Sequence, residues 1–304
     1  MHHDGVRRAA ALGAVGVVGV VVASVAGPGL ARAQPRPDRG TPPTTSQPRP
    51  ERGVRSVAAQ PRPDHPTRDA AAEPRLDRAA AVAYATGRAG TVSLAAVDAR
   101  GRFVGHRSTR AVPAASVLKV MLMAAWLRRE SVRGRPLRRA DRRLLSPMMR
   151  RSDNATATRI LDTVGPGEVA RLARAAGMRR FRLRRPWGAS RVTAGEQARF
   201  MRRLDRLLPR RHRAYARLLL RTVTPAQRWG VAKARPPGWR LFFKGGWGSG
   251  TGRVCHQVVA LERGRRRVGV AVLIEGSPSH AYGTETLRGV FARLLRPLAA
   301  RRAR

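Results

Sequence analysis

The sequence predicts one α/β (α+β) unit with a helical insertion, and three observations lead to it. Two strand-like runs lie close together at 91–106. Three more lie at 240–274. Between them a helical block reaches about Leu220, and a last helix follows the third strand of the second cluster. Strand pair, helical block, strand triplet and final helix imply a single folded unit.

The folded domain is expected from Arg75 to residue 304. Asp77 to Gly87 reads as a helix that ends on a glycine C-cap. Thr91 to Val97 alternates as a strand, Asp98-Ala99-Arg100-Gly101 supplies a turn, and Arg102 to His106 returns as a second strand. Pro113 breaks the chain before an apolar helix from Ser116 to about Arg129. A further helix, Ala155 to Val164, follows Ser152-Asp153-Asn154, where Asp or Ser suits the N-cap. Thr193 and Glu196, three apart, form a capping-box signature. Arg240 to Lys244, Arg253 to Leu261 and Arg267 to Ile274 read as strands, with Gly264 turning the last pair. A helix from about Tyr282 to Leu298 follows.

Two segments precede this domain. Residues 1–33 read as an export signal: Arg7 and Arg8, an uncharged apolar run from Ala9 to Ala26, then Ala31-Arg32-Ala33 as a cleavage site. The run is near membrane-spanning length, but its glycines and alanines and the small-residue site favour cleavage. The paired arginines permit a twin-arginine route without requiring it. No cysteine follows the run, so a lipid anchor there is excluded. Residues 34–74 read as a disordered Pro/Arg-rich tether in which Gln-Pro-Arg-Pro-Asp/Glu begins at Gln34, Gln47 and Gln60. Proline at that density gives an extended spacer with nothing to bury. A secreted, wall-associated protein is the expectation.

The formal net charge is +44. Such a charge attracts polyanions, so contact with an anionic cell wall or membrane surface is expected. Specific nucleic-acid binding is not, because only 5% of residues are aromatic and no zinc-finger spacing occurs. Cys255 stands alone in an apolar run, which excludes an internal disulfide and suggests a buried structural thiol. No Cys/His cluster has metal-ligand spacing, so neither metal nor cofactor is expected. Nothing in the sequence calls for an oligomer, and a monomer is expected.

Of the 62 Lys and Arg residues only Lys119, Lys233 and Lys244 are lysines. Lysine can lose its proton in a desolvated, positive site, whereas arginine cannot. Lys119 follows Ser116 by three residues, on one helical face, and a serine nucleophile needs a neighbouring base. The expected helix N-terminus at Ser116 favours developing negative charge. Ser152-Asp153-Asn154 comes 36 residues after Ser116. Lys244-Gly245-Gly246 ends the strand Leu241-Phe242-Phe243, where glycines admit a ligand close to the backbone.

Each motif alone is commonplace. In this order the three resemble those of the penicillin-recognising serine hydrolases, the class A β-lactamases in particular. The resemblance covers roughly Arg75 to the C-terminus and includes Met148-Met149 and Val164-Gly165-Pro166-Gly167. It implies the family's antiparallel sheet, flanked by N- and C-terminal helices, plus an all-helical subdomain. It implies Ser116 as the acylated nucleophile, Lys119 as its base and Ser152 as proton relay. Asn154, Lys244, Gly246 and Trp247 would bind substrate, with the backbone N–H groups of Ser116 and Trp247 as oxyanion hole. The implied substrates are a small-molecule β-lactam or a peptidoglycan stem peptide.

Three departures stand out. Gly245 occupies a place where the family carries a hydroxyl, so one carboxylate contact is lost. The segment from Lys119 to Ser152 is short. Most consequentially, the loop glutamate that activates the deacylating water has no counterpart: Arg179 to Val192 contains no carboxylate, Glu168 falls early, inside a helix, and Glu196 reads as a helix cap. Acylation therefore has its parts while fast deacylation does not. Three readings follow: a slow β-lactamase-type hydrolase, a penicillin-binding peptidase of the D-Ala-D-Ala type, or a non-catalytic wall-binding relic. Among secondary candidates, His256 lies near the third motif and could face the cleft, though an ordinary strand histidine is the default. Trp187-Gly188 and Trp229 could line the site, with core or rim packing the default for tryptophan, and Asp141 and Asp162 read as solvated helix positions.

Overall fold

The computed structural model describes residues 75–248 and 253–299, all within the compact unit Arg68–Arg304. The export signal and the tether read from the sequence lie outside the described residues. The chain forms α1 (Arg78–Thr86), β1 (Thr91–Val97), β2 (Phe103–His106), β3 (Ala111–Pro113), α2 (Leu118–Arg128), α3 (Glu130–Arg133), α4 (Arg139–Arg150), α5 (Asn154–Val164), α6 (Pro166–Ala175), β4 (Arg191–Thr193), α7 (Ala194–Leu207), α8 (Arg213–Arg221), β5 (Arg240–Gly248), β6 (Val254–Arg263), β7 (Arg266–Glu275) and α9 (His280–Ala299). No helix among the described residues is long and apolar enough to cross a membrane.

Five strands make one antiparallel sheet in the order β2-β1-β7-β6-β5. Both strand clusters of the sequence thus meet in one sheet, with β1 beside β7. One face, carrying Leu94, Ala96, Val270 and Val272, packs on α1 and α9 through Ala81, Phe291 and Leu294. The other, carrying Ala95, Ala271 and Leu273, packs on the turn before α2 and on α7 through Val117, Ala198 and Met201. This explains β1. Its sequence reads as alternating, but every residue from Val92 to Val97 is buried, because the alternation divides two cores rather than core from solvent.

The helical block is organised around α2, in which every residue from Leu118 to Leu127 is buried. A helix apolar all round belongs in the middle of a bundle, and α4, α5 and α6 surround this one. Four expectations change. The block contains a two-stranded ladder, β3 with β4, of three residues each. The apolar helix begins at Leu118, after a 3₁₀ turn over Ala115–Val117. The strand β5 does not end at the third motif but runs through it to Gly248. Asp141 is not solvated: it is buried, accepting from Arg135 Nη1 at 2.7 Å, the Arg138 N–H at 2.7 Å and Trp126 Nε1 at 3.1 Å. Asp162, by contrast, is half exposed beside Arg185.

Candidate active site

The sheet and the helical block meet where β5 lies against the N-terminus of α2. The glycine at 246 is what lets them meet: a Cβ there would stand 3.0 Å from both the Ser116 and Val117 amide nitrogens. Ser116 sits in the 3₁₀ turn, half-buried, with Ala115 before it at φ +43°. Across the cleft Ser152 takes φ +60°. A left-handed conformation costs a non-glycine residue roughly 1–2 kcal/mol, and such strain gathers where geometry is imposed by function. Asp153, not Ser152, caps α5, accepting the Thr156 N–H at 2.7 Å.

Lys119, in the first turn of α2, is fully buried at the centre. Its Nζ lies 3.0 Å from Ser116 Oγ, 3.1 Å from Ser152 Oγ, 2.6 Å from the Ser152 carbonyl and 2.7 Å from Asn154 Oδ1. Four oxygens surround a group with at most three N–H donors. As a neutral amine Nζ has two N–H donors for the Ser152 carbonyl and Asn154 Oδ1 and one lone pair for the Ser116 hydroxyl, while Ser152 Oγ is also served by Lys244. Burial favours that form, pushing Lys119 down to about 7 against a smaller opposing pull from the Asp153 carboxylate. Lys244 is also fully buried, and its Nζ donates to Ser152 Oγ at 3.0 Å and to the Gly245 carbonyl at 2.7 Å. Burial, and secondly the charge on Lys119, pulls Lys244 well below the ordinary lysine range. Two lysines sharing one hydroxyl disfavour a second positive charge.

The fold therefore brings Ser116, Lys119, Ser152, Asn154, Lys244 and Gly246 into one cleft. Trp247 stands at its rim, 37% exposed, its ring centroid 5.8 Å from Lys244 Nζ. The loop between α6 and β4 contributes an indole: the Trp187 ring lies 5.0 Å from Lys119 Nζ and is pinned to α5 by Nε1 donating to Thr158 Oγ1 at 3.0 Å. Glu168 pairs with Arg171 on α6. Glu196 receives the Arg180 N–H at 2.7 Å, while Thr193 caps α7. Neither carboxylate hydrogen-bonds a cleft residue.

His256 does not line the cleft. It is buried in β6, opposite Gly246, with Nδ1 accepting the Ile274 N–H at 3.0 Å. Nε2 must then carry the proton, donated to the Pro113 carbonyl at 2.9 Å. The imidazole thus ties the end of β3, three residues before Ser116, to the sheet. Burial pushes it down to about 4, so it stays neutral. Burial also pushes the Cys255 thiol up to about 12, which leaves it inert. Trp229 packs against Gly245, where a Cβ would meet its ring. What sequence reasoning missed is the electrostatic influence of Asp153 on Lys119. A helix cap carries no sign of it.

Residues 140–296 match the beta-lactamase enzyme family. The match begins beyond Ser116 and Lys119, whose place rests on the geometry above. No curated protein matches the chain. Among solved structures, a beta-lactamase from Sphaerobacter thermophilus is similar at 24% identity, covering 73% of this chain and 97% of its own, with a TM-score of 0.63. A class A beta-lactamase from Mycobacterium abscessus is similar at 24% identity over 72% and 98%, TM-score 0.62. A beta lactamase from Xanthomonas campestris has 19% identity over 73% and 97%, TM-score 0.61. At these identities the likeness is one of fold.

Proposed function

The chain belongs to the beta-lactamase enzyme family, as a serine hydrolase of the β-lactam amide bond, and from that premise we propose that Ser116 forms an acyl-enzyme which is released slowly. The observation that carries the reading is the contact of a fully buried Lys119 Nζ with Ser116 Oγ at 3.0 Å. Neutral Nζ takes the hydroxyl proton as Oγ attacks the carbonyl carbon. The backbone N–H groups of Ser116 and Trp247 receive the developing oxyanion. When the C–N bond breaks, the leaving nitrogen takes the Ser152 proton, and the Lys119 ammonium restores it. The products of this half-reaction are the Ser116 ester and the amine. Asn154 orients the substrate amide, and Lys244 holds Ser152 in line.

Deacylation needs an activated water. The face of Lys119 toward the loop is covered by the Trp187 ring, and the loop offers no carboxylate between Arg179 and Val192. That observation favours a second reading, a wall-peptide hydrolase that β-lactams trap. In either form the protein is exported, and its arginine-rich surface and tether hold it to an anionic wall through contacts that salt weakens.

The test is the intact mass of the protein through time after adding benzylpenicillin, beside Ser116→Ala. A persistent adduct of one penicillin mass, missing from Ser116→Ala, is the expected result. A transient adduct with the drug consumed would refute slow release. An adduct that survives in Ser116→Ala would refute the nucleophile, and no adduct at all would remove penicillin recognition.

A further inference from the structure

Successive residues of a strand face opposite ways. Gly246 faces the Ser116 backbone, whereas Gly245 faces Trp229: a Cβ at Gly245 would stand 2.7 Å from Trp229 Cη2. The indole fills the space a side chain would take. It is held there on purpose-built contacts. Gln257, buried and paired across from Gly245, accepts the Val231 N–H at 2.8 Å and donates to the Trp229 carbonyl at 2.9 Å. Gly230 between them takes φ +58°, and a side chain on it would strike the Gln257 carboxamide.

Trp229 meets Trp247 edge-to-face, ring centroids 5.9 Å apart at 83°. His280, at the start of α9, lies 5.3 Å from Trp229 and 5.7 Å from Trp247. Burial lowers the His280 pKa, which favours the uncharged ring. Beside the cluster is a recess of about 200 Å³ whose lining includes Trp247, Val254, Pro278, His280 and Arg253. A cavity of roughly 150 Å³ holds a benzene-sized group.

The strand carrying Gly245 and Trp247, β5, is an edge of the sheet. A ligand laid along a free edge turns successive groups to opposite faces. With its reacting carbonyl at Ser116, the neighbouring group points to the aromatic side. Lys244, the lysine of this strand, is fully buried, with Nζ committed to Ser152 and the Gly245 carbonyl. We propose that Trp229, Trp247 and His280 form a specificity subsite that takes a flat, uncharged ring of the substrate in preference to a carboxylate. The subsite rests on Ser116 being the reacting residue. Arg253 stacks on rings and pairs with anions alike, so the probes must separate charge from shape.

Benzylpenicillin, its methyl ester and its benzyl ester are titrated calorimetrically into Ser116→Ala and into Ser116→Ala/Trp247→Ala. Trp247 is half exposed, so its loss leaves the core intact, and thermal melts check this. The benzyl ester is expected to bind Ser116→Ala about tenfold more tightly than the other two, a gain the double variant loses. Free acid binding as tightly as the benzyl ester, or a preference that survives in the double variant, would overturn the subsite. The same ligands are followed by intact mass on the unsubstituted protein. Preference in binding with no adduct there would remove Ser116 as nucleophile and leave an aromatic-binding site with no part in the reaction, which overturns the specificity role.

Discussion

Lys119 is buried without a carboxylate hydrogen-bonded to it. Its neighbours are oxygens, and the opposing charge that acts on it, Asp153, is occupied capping α5. In the proposed mechanism Asp153 therefore tunes a base it does not touch. Asp153→Asn keeps an oxygen for the Thr156 N–H, so the helix cap survives. Removing the charge takes away the influence that raises the lysine, and the pH midpoint of acylation is expected to move to lower pH with the thermal midpoint unchanged. An upward or absent shift, read from acylation rates between pH 5 and 9, would contradict this. The place of Lys119 beside Ser116 was legible in the sequence, because a spacing of three residues sets the two on one helical face. The burial of Asp141 was not legible, since its three donors come from Trp126, Arg135 and Arg138, and only the folded turn brings them together.

At the scale of elements, the site depends on how closely β5 approaches the turn before α2. Gly246 is the point of contact, 3.0 Å short of the Ser116 and Val117 amides for any added Cβ. Both neighbours are backbone and cannot rotate away. Gly246→Ala is expected to cost about 1–3 kcal/mol in a denaturant melt and to slow acylation roughly ten- to a hundredfold through displacement of the nucleophile. Unchanged acylation would mean that β5 does not position Ser116. The strands and long helices were readable from their apolar patterns. The pairing of β3 with β4 was not, because three residues are too few to show a period. The extent of β5 was hidden too, since Lys244-Gly245-Gly246 looks like a strand end until β6 pairs with it as far as Gly248.

Over the whole molecule, 62 basic residues face 18 acidic ones, and two of the carboxylates sit at a junction. Asp205 of α7 and Glu262 of β6 gather Arg217 from α8 and Arg267 from β7, and Glu262 also takes Arg240 from β5. These pairs tie α7 and α8 to the sheet. The fold class was legible because strands cluster at both ends of the domain and helices fill the middle. The partner of each arginine was not, because composition says nothing about position. The proposed mechanism rests on a serine made reactive by a neutral lysine, and the rate of Ser116 acylation by benzylpenicillin against pH tests that most directly. General-base catalysis requires the unprotonated amine, and burial sets Lys119 at about 7. The rate is expected to rise through about pH 7 to a plateau and to fall about a hundredfold or more in Lys119→Met. A rate that is flat from pH 5 to 9, or untouched in Lys119→Met, would mean that another group takes the proton.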